Sequence, residues 1–253
     1  MGDVALTSIT NEDLLYKLFG INAELLIDHS WGWEPTTIKD VKSYKPKENS
    51  ISSGQVLHCP YNYEKTRLIV KEMTELLTLE LVEKNIVTNQ LVLTIGYDID
   101  NLINDNIRDS YHGEVTTDRY GRKVPKHAHG TINLDHKTSS TKIIIDAIMN
   151  LYDRIINDKL LVRRINVTAN NVTSNEYIEE KKSFEQMDLF TNYKELDKKK
   201  EAEEQKEQAE RRIQKAMISI KQKYGKNAII KGMNLEEGGT TISRNNQVGG
   251  HKA

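Results

Sequence analysis

The chain has 253 residues, a formal net charge of −1, 29% charged side chains and a single cysteine, Cys59. That length admits one or two domains with a real core, while a mean hydropathy of −0.62 requires part of the chain to be exposed helix or tail. The charge balance excludes a bulk electrostatic nucleic-acid binder and the lone cysteine excludes an intrachain disulfide. With no signal peptide and no long apolar run, the expectation is a cytoplasmic protein without a membrane partner.

In chain order, Thr10 is placed to cap a helix that runs to Phe19 and stops at Gly20, and residues 23–31 form a second helix that stops at Gly32. Val4, Ala5 and Leu6 are left in front, so residues 1–34 read as the end of a small helical domain, with Trp31 and Trp33 as packing residues at a helix end. Residues 35–49, punctuated by Pro35 and Pro46, form a linker.

Residues 50–174 read as one strand-helix-strand unit written twice. Residues 50–57 and 90–97 are strands around a helix at 63–85, striped by Leu68, Met73, Leu77 and Leu81. Residues 130–134 and 162–169 are strands around a helix at 141–156, striped by Ile144, Ile148, Leu151 and Ile155. Two such units close into a four-stranded antiparallel sheet with both helices on one face, an α+β fold. Residues 99–126 are a polar, nearly unpatterned insertion.

The other sheet face is then open, and its side chains follow from alternation. The last strand offers Arg164, Asn166 and Thr168, with Arg163 beside them; the third offers His129, Thr131 and Asn133, and the second Thr94. The first supplies Ser50, Ser52, Ser53 and Gln55, with Gly54 marking a bulge that would break its alternation. Hydroxyls, amides and guanidiniums without exposed aromatics suit phosphate and sugar oxygens better than base stacking. A solvated sheet face is the plainer alternative, since antiparallel sheets normally keep one wet side.

Residues 175–192 form a polar linker that carries Gln186, Met187, Asp188, Leu189 and Phe190. Residues 193–224 are a charged helix whose apolar side, Ala209, Ile213, Ala216, Met217, Ile220 and Tyr224, develops only late, so the helix is expected to be exposed early and docked late. Residues 225–253 form an irregular tail whose Gly238-Gly239 and Gly249-Gly250 pairs match no phosphate loop.

Several stretches together resemble a known family. They are Phe19-Gly20 to Gly32, Ser50-Ile51-Ser52-Ser53-Gly54-Gln55, Pro125-Lys126-His127-Ala128-His129-Gly130-Thr131, Gln186-Met187-Asp188-Leu189-Phe190 and the ending Asn246-Gln247-Val248-Gly249-Gly250-His251-Lys252-Ala253. Over essentially the whole chain they look like the C-terminal half of UmuC/DinB-type Y-family translesion DNA polymerases of Firmicutes, enzymes of lesion bypass, DNA repair and the SOS response. The resemblance implies that residues 50–174 are the little finger domain, which grips duplex or primer-template DNA by its phosphates, and that residues 1–34 belong to the thumb. The family's backbone-contacting positions match the 50–55 strand and Arg163-Arg164, and the pentapeptide at 186–190 resembles the motif that binds the bacterial β sliding clamp. No counterpart is present for the palm carboxylates that hold Mg2+ or for the fingers. The resemblance therefore implies no catalytic residue, no cofactor and no polymerisation by this chain alone.

Competing readings are weaker. His127, His129, His136, Asp135 and Cys59 invite a metal site, yet no second ligand pair has fitting spacing. A stand-alone nucleic-acid-binding interaction module shares every feature but the polymerase context. An RNA-binding ferredoxin-like module would require an aromatic pair on the central strands, which is missing.

Overall fold

The computed structural model describes residues 1–44, 49–118, 121–175, 193–248 and 251–252. The chain divides into two compact units, Met1–Lys47 and Glu48–Ala253.

The first unit holds four helices, α1 (Gly2–Thr10), α2 (Glu12–Phe19), α3 (Asn22–Ser30) and α4 (Ile38–Ser43). The α1 helix replaces the expected stray segment, and its hydroxyls fold back on their own helix: Thr7 donates to the Asp3 carbonyl, Ser8 to Ala5 and Thr10 to Leu6. Thr10 therefore ends α1, and Asn11 precedes α2. The expected linker also contains structure, because Thr37 and Asp40 form a reciprocal capping box that starts α4. Trp31 and Trp33 are not packing residues in this unit. They are 58% and 57% exposed, and the Trp31 indole donates to Ser8 Oγ.

The second unit is built on strands β1 (Ile51–Tyr61), β2 (Ile86–Tyr97), β5 (Ala128–Thr138) and β6 (Val162–Asn170), in the antiparallel order β1-β6-β2-β5. Helices α5 (Tyr63–Glu83) and α8 (Thr141–Ile155) cover one face. This is the expected α+β architecture. A short β7 (Thr173–Ser174) extends it by pairing with β2. Leu91, Leu93, Ile95, Ile165 and Val167 meet Met73, Leu77, Ile144 and Ile148 in a dry core. Asn62 and Ser140 cap α5 and α8 by accepting from Lys65 N and Ile143 N. Asp153 on α8 ties the helices together by accepting from the Tyr63 hydroxyl at 2.6 Å and pairing with Arg67 at 3.3 Å. The insertion contains short helices α6 (Asp100–Ile103) and α7 (Asp105–Arg108) and a hairpin of β3 (Val115–Thr117) and β4 (Lys123–Pro125), where no pattern was expected.

The charged helix α9 (Tyr193–Tyr224) docks by a different side from the one its apolar residues suggested. Ile213 is 62% exposed, whereas Gln214 is 4% exposed and donates to the Ser139 carbonyl and Thr141 Oγ1. Glu210 accepts from Ser140 Oγ and Lys142 N, adding a second cap to the positive end of α8. Glu207 accepts from Thr138 Oγ1 and lies 2.8 Å from His136 Nε2.

This last pair makes the docking depend on pH. The Glu207 carboxylate raises His136 above the usual 6.5, so that contribution is complete below 6.5 and fades as pH climbs through the raised value. Burial pushes Glu207 up, but hydrogen bonds from His136 and Thr138 leave it below the usual 4.5; its contribution is complete above 4.5 and fades in acid. Protection of the amides of residues 203–214, taken as the exchange rate relative to the intrinsic rate at each pH, should be greatest between about pH 4.5 and 6.5. The alkaline loss of protection should vanish in His136→Ala; persistence of that limb would assign it to another group.

The tail returns to the sheet. A 3-10 turn (Gly232–Leu235), α10 (Thr241–Asn245) and a hairpin of β8 (Gln247–Val248) and β9 (His251–Lys252) follow α9. Glu72 on α5, 2% exposed, accepts at Oε2 from Thr240 N at 2.8 Å and Thr240 Oγ1 at 3.2 Å. Arg244 donates to Ser53 Oγ, Lys65 pairs with Glu237, and Lys231 with Glu75. Gly239 is tightly enclosed, since a Cβ there would stand 3.0 Å from the Asn234 carbonyl oxygen and 3.1 Å from Glu72 Oε1, so that these atoms would have to give way.

Candidate nucleic-acid interface

Because paired residues of an antiparallel sheet share a face, the register lays out the open side as a grid. Arg164 lies between Val56 and Gly96, Asn166 between Gly54 and Thr94, and Thr168 between Ser52 and Val92. The rows continue onto β5, where His129 faces Thr94, Thr131 faces Val92 and Asn133 faces Gln90. Thr94, His129, Thr131, Asn133, Arg164, Asn166, Thr168 and Ser52 are thus brought together as expected, and Ser50 is exposed just before β1.

Ser53 and Gln55 require correction. Alternation runs unbroken from Ile51 to Val56, with no bulge at Gly54; the register shifts only between Val56 and Tyr61. Ser53 and Gln55 pair with Val167 and Ile165 on the helix-covered side. Their polar groups are satisfied there by the tail, Ser53 by Arg244 and Gln55 by Thr240 Oγ1 at 3.0 Å. Arg163 also departs from the grid. It occupies the irregularity where β2 and β6 step from Gly96↔Arg164 to Tyr97↔Val162, and its Nε lies 3.6 Å from Asp98 Oδ2.

Several of the polar groups on the grid engage one another. Thr94 Oγ1 and His129 Nδ1 are 2.9 Å apart, Gln90 Nε2 donates to Asn133 Oδ1 at 3.0 Å, and Asn170 Nδ2 donates to Gln90 Oε1 at 3.2 Å. Among the described residues Arg164 has no hydrogen-bond or ion-pair partner, so its guanidinium is available to an anion. The two glycines matter for shape. A Cβ on Gly96 would come within 3.1 Å of Arg164 Cβ, and one on Gly54 within 3.4 Å of Asn166 Oδ1. Bare backbone beside Arg164 and Asn166 is what a strand offers when another chain must approach it closely.

At the Arg164 end the hairpin of β3 and β4 rises beside the sheet and walls a cleft of about 770 Å³. Gln90, Asn170, Gly96 and this cleft escaped the sequence reading. The first three lie on the alternation that revealed Thr94 and Asn166, while nothing in residues 99–126 announces a hairpin.

The described residues contain no group of three His, Cys, Asp or Glu able to hold a metal ion, and none of their helices is long and apolar enough to cross a membrane. His129 faces Thr94, while His136 binds Glu207. The pentapeptide Gln186, Met187, Asp188, Leu189 and Phe190 lies outside the described residues.

Comparison with known proteins adds two findings. A family model described as the impB/mucB/samB family C-terminal domain matches residues 48–189. Among solved structures, the chain is similar to a Y-family DNA polymerase chimera, Dbh-Dpo4(243-245)-Dbh, at 14% sequence identity and a TM-score of 0.32, over 68% of this chain and 41% of that one. The chain thus spans about two-fifths of that protein's length. Comparison with curated proteins gives no match.

Proposed function

Since this chain belongs to the impB/mucB/samB family of UmuC-type Y-family polymerases, through a C-terminal domain at residues 48–189, we propose that it supplies the DNA-gripping and clamp-tethering portion of a translesion DNA polymerase. The open sheet face lies along duplex or primer-template DNA and holds its sugar-phosphate rails. The supporting observation is the grid itself: hydroxyls and amides in rows, one unpartnered guanidinium and two strand glycines, with no aromatic platform. Such a surface positions a duplex without reading sequence. The pentapeptide at 186–190 tethers the assembly to the β sliding clamp, and the helices of residues 1–44 act as thumb elements.

Arg164→Ala should weaken binding to every duplex sequence alike, by roughly tenfold at low salt, the worth of one charge-assisted contact. The slope of log affinity against log salt should flatten by about one. Arg163→Ala should change the slope less, because Arg163 is already committed to Asp98. Fluorescence anisotropy across a salt series reads both quantities, and an unchanged slope in Arg164→Ala would remove the phosphate grip.

A further inference from the structure

The docked helix α9 leaves its apolar side uncovered. Successive residues of a helix are turned by about 100°, so docking through Glu207, Glu210 and Gln214 leaves Ile213 and the residues in line with it on another side. Ala202, Ala209, Ile213, Ala216 and Tyr224 are all exposed, Ile213 at 62% and Tyr224 at 67%, and Ile220 is half-buried. Contact with the body of the unit therefore does not account for Ile213.

The spacing of these residues has its own meaning. Alanine recurs every seven residues at 202, 209 and 216, and isoleucine every seven at 213 and 220, each four residues after an alanine. That is the seam of a coiled coil, with isoleucine at a and alanine at d, and Lys206 at the one polar a position. Facing a small residue with a large one lets two helices approach closely and interdigitate.

The charges say which helix fits. Glu201, Glu203 and Glu204 are exposed near the start of the seam, Arg212, Lys215 and Lys223 are exposed in its second half, and no acidic residue follows Glu210 within α9. A second copy laid parallel would set like charges side by side. Laid antiparallel, it brings the acidic start of each helix alongside the basic end of the other, with Ile213 against Ala216 of the second copy and Ile220 against Ala209 of the second copy. One surface then supplies both halves of a closed two-fold interface.

We propose that α9 pairs antiparallel with α9 of a second copy of this chain, through a seam of Ile213, Ile220 and the alanines between and before them. The pairing uses none of the residues assigned to DNA or to the clamp, so it stands or falls separately from those readings.

Sedimentation of the full chain at concentrations from about 1 to 300 µM tests it. The mass should rise from 29.0 kDa toward twice that value as concentration increases. Ile213→Lys, at an exposed position beside Arg212 and Lys215, should weaken self-association by at least about tenfold while leaving the urea midpoint of the monomer unchanged. Orientation is read by oxidising a mixture of Ala209→Cys and Ile220→Cys chains, both also carrying Cys59→Ser. Antiparallel pairing gives the mixed disulfide, and parallel pairing joins like chains. A wild type that stays monomeric over the whole range, a dimer that survives Ile213→Lys at full strength, or disulfides between like chains alone would each overturn the proposal. The wild-type masses decide the matter even if a cysteine variant fails to fold.

Discussion

Replacing Leu189 and Phe190 together by alanine should abolish binding to the β sliding clamp, a loss of at least ~100-fold. Two apolar anchors that fill one pocket are each worth ~2 kcal/mol or more when truncated, and such losses do not add simply. The motif sits between β7, which ends at Ser174, and α9, which begins at Tyr193. Within residues 175–192, Leu189 and Phe190 are adjacent apolar side chains in a mostly polar stretch. In the proposed mode the segment extends across the clamp's cleft, Leu189 and Phe190 enter it, and the Gln186 amide meets polar groups at its rim. Calorimetry of clamp against wild type and double mutant decides the point, with the urea midpoint of each recorded to establish that the fold is intact. Clamp binding that survives in a folded double mutant would make the pentapeptide a coincidence. Arg164→Ala serves as the converse control, because it should spare clamp binding while weakening DNA binding.

How much of this was legible depended on whether a residue's partner was local. The repeat could be read because α5 and α8 carry long apolar stripes and because Leu91, Leu93 and Ile95 fall at every second position of a strand; both patterns reflect burial against the same core. The grid on β2, β5 and β6 followed from that alternation. On β1 the logic failed, because a polar side chain was taken to face water. Ser53 and Gln55 are polar and face inward, and their partners, Arg244 and Thr240, lie nearly two hundred residues away in a tail with no periodicity of its own. The same failure misplaced the contact side of α9. The helix carries an apolar stripe, yet it docks through Glu207, Glu210 and Gln214, which satisfy buried polar groups at the start of α8. The α1 helix was missed because Thr7, Ser8 and Thr10 lower helix propensity, and their bonds back to the preceding turn are visible only once the helix exists.

The tail supplies the second large expected effect. Thr240→Val should destabilise the second unit by about 2–3 kcal/mol, because it deletes the hydroxyl hydrogen bond to Glu72 and loosens the segment that delivers the Thr240 amide to the same oxygen. Glu72 is 2% exposed, and its Oε1 has no hydrogen-bond partner among the described residues, so its carboxylate depends on the tail for the bonds that offset its burial. Arg244 opposes the charge: burial holds its pKa below the usual value, the Glu72 carboxylate offsets only part of that, and its guanidinium reaches Ser53 on the inner side of β1. Losing the Thr240 contact therefore disturbs a linked set, Glu72, Thr240, Gln55, Ser53 and Arg244, that fixes the edge strand from behind. Ser52 and Gly54 alternate with Ser53 and Gln55 on that strand and belong to the open grid. A variant that touches no nucleic acid should consequently also weaken duplex binding, through β1 rather than through Arg164, and should leave the salt slope unchanged. Urea melts give the stability and anisotropy gives the slope. A flattened slope in Thr240→Val would instead mean that the tail itself contributes a cation to the DNA. Gly239→Ala offers a check by a different route, since its Cβ would have to displace the Asn234 carbonyl or Glu72 Oε1 and should produce the same pairing of lost stability with an unaltered slope.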